Sequence, residues 1–184
     1  MKNTFAALIL IGLTSFTINK NSINNWFKAG DSPESYISGI DDKEFKTGSK
    51  SAYLQSVKKS IKGFSTVMQT CNATSYLGKK IKITASIKTE KVKKWAGLWL
   101  RIDGETTETT LGFNNMSDRP IEGTTDWTEY SILMNVPETS KTLNFGALLN
   151  GNGKIWLNDV KFEVISVMDN NETLSPPSNL NFEK

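Results

Sequence analysis

There is no histidine in the 184 residues, and Cys71 is the one cysteine. Those absences exclude an internal disulfide, any Ser-His-Asp or Cys-His arrangement within the chain, and a zinc site of the Cys/His kind. A surplus of one charge is also lacking, with 22 Lys and Arg against 19 Asp and Glu. Nucleic-acid binders concentrate basic charge on one face. The densest basic cluster here, "KVKK" at Lys91 to Lys94, reads as a solvated turn between strands, so no nucleic-acid partner is expected. No window carries a capped amphipathic helical stripe, and no period of tens of residues repeats.

Long apolar runs are missing everywhere except the start. In "MKNTFAALILIGLTSFTINK" the run from Phe5 to Leu13 is too short for a membrane helix, which needs ~20 apolar residues, and no cysteine follows it for lipid attachment. It reads as a secretory signal over residues 1–20, with a buried first strand as the alternative. A secreted or periplasmic protein without a membrane anchor is the expectation. At the other end "MDNNETLSPPSNLNFEK" is rich in Asn, Ser and Pro, so residues 168–184 are read as a linker or disordered tail.

Between these ends, residues 24–167 form one domain of short alternating segments. In "KIKITASIKTE" Ile81, Ile83, Ala85 and Ile87 face one way, and the Lys, Thr and Ser residues face the other. "WTEYSILMNV" turns Tyr130, Ile132, Met134 and Val136 to one side, and "TLNFGALLN" does so with Leu143, Phe145, Ala147 and Leu149. Weaker candidates lie at 35–40, 51–57, 64–70 and 109–114. Eight or nine such strands predict an all-β antiparallel sandwich of the jelly-roll kind. In "KIWLNDVKFEVI" the alternation changes phase between Leu157 and Val160, which predicts a β-bulge at Asn158-Asp159.

One stretch asks for a function. "WAGLWLRIDGE" puts Ala96, Leu98, Leu100 and Ile102 on one face, and Trp95, Trp99, Arg101 and Asp103 on the other. Tryptophan faces take the C–H patches of sugar rings, and Arg and Asp supply fixed hydrogen bonds to hydroxyls. Asn115 and Arg119, in the loop "NNMSDRPIEG", and Gln69, on "FSTVMQT", are candidates to join them. The opposing interpretation buries Trp99 under that loop and makes Arg101 and Asp103 an ion pair. Trp127 and Trp156 are assigned to the core. Catalysis is not expected, because the carboxylates Glu90, Asp103, Glu105 and Glu129 sit in no motif that enforces a facing pair.

"GTTDWTEYSILMNVP", "GNGKIWLNDVKFEVI" and "KTGSKSAYLQS" resemble, in this order, the motifs of galactose-binding-like carbohydrate-binding modules over residues 46–165. "WAGLWLRIDG" and "NMSDRPIEGTTDW" are similar to a sandwich domain of bacterial secreted proteins, appended also to transcription regulators. The resemblance implies a non-catalytic module that binds a glycan, with a protein-interaction or small-effector domain as the alternative. It further implies a structural calcium ion held by Asp159 and the backbone of Gly48 to Lys50. The sequence departs from that pattern where Asn158 replaces the first Asp and "NWFKAG" replaces the opening strand, so the cofactor expectation is either none or one calcium ion. "PPSNLNFE" near the end resembles the opening motif of a further module, which implies either a linker within a longer architecture or a strand that pairs back onto this domain.

Overall fold

A computed structural model describes residues 25–106 and 108–167. The signal reading over 1–20 and the tail reading over 168–184 lie outside the described residues. Nine strands follow in chain order: β1 (Phe27–Gly30), β2 (Tyr36–Asp41), β3 (Ser51–Ser56), β4 (Phe64–Asn72), β5 (Lys79–Asp103), β6 (Thr110–Asn114), β7 (Ile121–Val136), β8 (Thr142–Asn150) and β9 (Lys154–Val167). The helical elements among the described residues are two single 3₁₀ turns, Pro33–Ser35 and Thr74–Tyr76.

Every ladder is antiparallel, and the strands form two layers. The first runs β2, β3, β9, the first half of β5, then β7; the second runs β1, β4, β8, the second half of β5, then β6. The expected sandwich is therefore the observed one, and the inward faces read from the sequence hold. Ile81, Ile83, Ala85 and Ile87 meet Leu98, Leu100 and Ile102 in one apolar core, all at 0 % exposure. Apolar area removed from water at ~25 cal/mol per Å² is what holds the layers together.

β5 is where sequence and structure part. "KVKK" is not a turn between two strands; it is a bend inside one strand of 25 residues. Lys91 takes the left-handed conformation (φ 52°), and pairing with β7 skips between Ile87, Thr89, Val92 and Ala96. The irregularity flips the inward parity from odd residues before the bend to even residues after it. One strand thereby serves both layers.

The bulge in β9 is present. Asp159 has φ 55°, and pairing with β5 jumps from Ser86–Asn158 to Thr84–Lys161. Past it Val160 and Phe162 pack on the core as the phase change requires, whereas Val164 is 47 % exposed.

Candidate functional site

The outer face of the second layer carries the stretch singled out above. Pairing places Trp95 beside Asn150, Trp99 beside Gly146, Arg101 beside Asn144 and Asp103 beside Thr142. From β8 the same face continues onto β4 as Phe64, Thr66, Met68 and Thr70. β1 adds Phe27 and Ala29, and β6 adds Phe113 opposite Arg101. Strands β4 and β8 approach so closely that a Cβ on Gly146 would lie 2.1 Å from the Val67 carbonyl oxygen, so only glycine fits opposite Trp99.

Trp99 is not the open platform that a stacking role calls for. Its indole is 5 % exposed, packed with Met68 and Leu148, and Nε1–H donates to Thr66 Oγ1 at 2.7 Å. Its edge instead floors a slot lined by Gly30, Phe64, Thr66, Arg101, Phe113 and Leu148. Trp95 and Phe64 are half-buried around this cluster, and Phe113 stands 40 % exposed at the rim.

Beyond the slot the face turns polar. Arg101 donates from Nε and Nη2 to one oxygen of Asp103, Oδ2, at 3.1 and 2.8 Å. The pair is nearly dry, with side chains 11 % and 2 % exposed. Asn144 Nδ2 donates to the same oxygen at 2.8 Å, and Thr70 Oγ1 donates to Asn144 Oδ1 at 2.7 Å. Among the described residues, two buried side-chain oxygens on this face find no donor: Asp103 Oδ1 and, at the other end, Asn150 Oδ1. A buried acceptor left unpaired costs ~1–3 kcal/mol, so each is a standing demand for a donor.

Three candidates fall elsewhere. Gln69 pairs with Phe145 and shares the inward parity of Val67, so it points away from Trp99. Arg119 is exposed, pairs with Asp118 at 3.1 Å, and donates from Nη2 to the Ser131 carbonyl, since the loop ends on β7 and not over Asp103. Asn115 caps its own loop, accepting from Ser117 N–H at 3.1 Å. The loop does fold toward the strand: Met116 is fully buried, and a Cβ on Gly97 would lie 2.8 Å from the Asn115 carbonyl oxygen. Thr66, Thr70, Asn144 and Phe113 were not foreseen; the signal for Asn144 was the outward parity of "TLNFGALLN".

Of the two tryptophans assigned to the core, Trp156 is buried as expected and Trp127 is only half-buried. Both stand on the outer face of the first layer, where Trp156 pairs with Lys88 and Tyr53. Trp156 is buried nonetheless, because Lys154 lies 4.1 Å from its ring centroid and its Nε1–H donates to Asp41 Oδ2 at 2.8 Å. Trp127 Nε1–H donates to Glu44 Oε1 at 3.0 Å. Asp41 Oδ1 accepts from Lys43 and Glu44 N–H.

These bonds hold the Asp41 carboxyl down at about 2, chiefly through Trp156, while partial burial opposes. A folded-state value below the unfolded one stabilises the fold above pH 3.8, and that stability is lost as pH falls toward 2. With the carboxylate about a fifth exposed, the loss has a ceiling of about 2 kcal/mol. Urea midpoints of the wild type should fall over this window, and those of Asp41→Asn should fall less steeply there.

The fold is an antiparallel β-sandwich that carbohydrate-binding modules of known structure share. Among solved structures, the C-terminal family 22 carbohydrate-binding module of Clostridium thermocellum Xyn10B matches with a TM-score of 0.53 at 10 % identity, over 80 % of this chain and 90 % of that one. A family 16 carbohydrate-binding module matches at 0.55 and 13 %, over 79 % and 98 %. The enzymatically active domain of bacteriophage CBA120 tailspike protein 4 matches at 0.60 and 13 %, over 79 % of this chain and 20 % of that one. In sequence, the chain is 39 % identical over 173 residues to the uncharacterised HTH-type transcriptional regulator YbfP of Bacillus subtilis (strain 168), over 90 % of this chain. It spans 58 % of that relative's length. No family model matches the chain.

Proposed function

We propose that this domain is a non-catalytic module that binds a neutral glycan on the outer face of the second layer. The observation that carries the proposal is the set of part-exposed rings Trp95, Phe64 and Phe113 around the slot, on a face whose polar end presents Thr70 and Thr142. Exposed rings select C–H faces, and accessible hydroxyls exchange hydrogen bonds with hydroxyls; a sugar offers both. Arg101 and Asp103 neutralise each other, which disfavours an ionic ligand. The structural neighbours are in keeping with this: one is a xylan-binding domain and another is a module in complex with β-1,4-galactotriose.

Phe113 gives the cleanest test, because its exposed ring carries little of the core. Phe113→Ala should weaken a glycan identified on an array, with xylohexaose and β-1,4-galactotriose included, by about tenfold, or 1.4 kcal/mol. Its melting temperature should stay within about 2 °C of wild type. An array without a hit, or undiminished binding by Phe113→Ala, refutes the proposal.

The likeness to a transcription regulator favours a second reading, a module that senses a small effector. Calorimetry separates the two, since an effector site saturates with a mono- or disaccharide and a glycan site gains affinity with chain length. Export through residues 1–20 belongs to the first reading, and fractionation of expressing cells tests it.

A further inference from the structure

The loop between β2 and β3 is tied to β9 by one side chain. Asn158 Oδ1 accepts from Lys46 N–H at 3.1 Å and Thr47 N–H at 2.8 Å, and Asn158 Nδ2 donates to the Lys50 carbonyl at 2.9 Å. With the Thr47 hydroxyl, which donates to the same Oδ1 at 3.3 Å, four contacts 108 to 112 residues apart in sequence converge on a single amide group. Glu44 reinforces them from the near side, since Ser51 Oγ donates to its carbonyl and Trp127 to its carboxylate.

This is the place where the sequence resemblance implies calcium, and the donor set does not suit the ion. A calcium site needs six to eight oxygens turned inward. Here the Lys50 carbonyl is spent on an N–H, and the backbone N–H groups of Lys46 and Thr47 converge on Asn158 with their positive ends. Asp159, turned by its left-handed backbone, gives its carboxylate to Lys161 Nζ at 2.9 Å. Among the described residues no group of three or more acidic or cysteine side chains is placed to hold a metal.

We propose that the Asn158 amide takes the place of the ion: it is a metal-free latch, and position 158 decides whether this loop needs calcium. An amide carries its own donor for the carbonyl and its own acceptor for the two N–H groups, so no charge has to be brought in. An aspartate at the same position keeps the acceptor and loses the donor. Its second oxygen then confronts the Lys50 carbonyl, and a hard cation between them relieves the repulsion. A groove of about 310 Å³ lined by Lys50, Asn158 and Asp159 gives an ion a path to that spot.

The test is thermal unfolding of the full chain with chelator and with calcium at several times the ~1 mM affinity of weak loop sites. Wild type should melt at one temperature in both. Asn158→Asp should melt lower by about 4 °C or more in chelator and recover at least half of that in calcium at matched ionic strength. Asn158→Ala should lose a similar amount and recover none of it. A wild-type protein that loses stability on chelation overturns the proposal. So does Asn158→Ala melting like wild type, or Asn158→Asp folding without any response to calcium. Should Asn158→Asp not fold, the wild-type and Asn158→Ala arms decide on their own. None of these readouts depends on glycan binding.

Discussion

Replacing Trp99 by alanine is expected to cost about 3–5 kcal/mol of stability, the range for truncating a buried aromatic side chain. The indole is 5 % exposed and fills the space between Met68 and Leu148, so its removal leaves a cavity that the strand backbone cannot collapse. Thr66, itself buried, also loses the indole N–H as a donor to its hydroxyl oxygen. Trp99→Phe separates these contributions: it keeps most of the volume and forfeits the hydrogen bond, and should cost about 1–2 kcal/mol. Urea denaturation followed by circular dichroism measures both. A Trp99→Ala protein as stable as wild type would mean that the ring is a surface platform after all.

Asp103→Ala should be nearly as costly, at about 3–5 kcal/mol, for a different reason. It strands the Arg101 guanidinium, 11 % exposed, without a counter-charge, and takes from Asn144 the acceptor of its amide. The double variant Arg101→Met, Asp103→Leu removes both charges and should recover much of that loss, because burying an ion pair gains little over burying apolar groups of similar volume. Comparing the denaturation midpoints of the single and double variants checks the coupling. A double variant no better than Asp103→Ala would assign the loss to packing and not to the stranded charge.

Alternation made most of the architecture readable. Ile81 to Ile87 and Leu98 to Ile102 point inward as their spacing demands, and the phase change after Leu157 marks the bulge at Asp159. The bend at Lys91 was not readable, because four residues with three lysines look the same in a turn and in an irregular strand. Parity also tells which face a side chain takes, but not what lies over it. Trp99 and Arg101 are on the expected face, and Thr66, Leu148 and Asn144, which bury them, come from strands 30 to 50 residues away in sequence. Gln69 was misplaced because both parities of "FSTVMQT" hold large apolar residues, Phe64 and Met68 on one and Val67 on the other. The Asn158 latch depends on a loop folding back over more than 100 residues, which no local pattern announces.

The shared strand has a mechanical consequence. In a sandwich whose layers are joined only by loops, tension between the layers is borne by side-chain packing, which yields by sliding. Here β5 passes through both sheets as backbone, hydrogen-bonded on two edges in each. Pull on Phe27, in the edge strand of one layer, and on Val167, in an inner strand of the other, and the load path runs through β4, β8 and then along β5. The ladders on that path bear the load one after another, so the four-pair ladder between β1 and β4 gives first, but no seam lies between the two sheets, because β5 belongs to both. Under force such a domain should shed β1 early and then lose both sheets together, with no plateau in which one sheet survives the other.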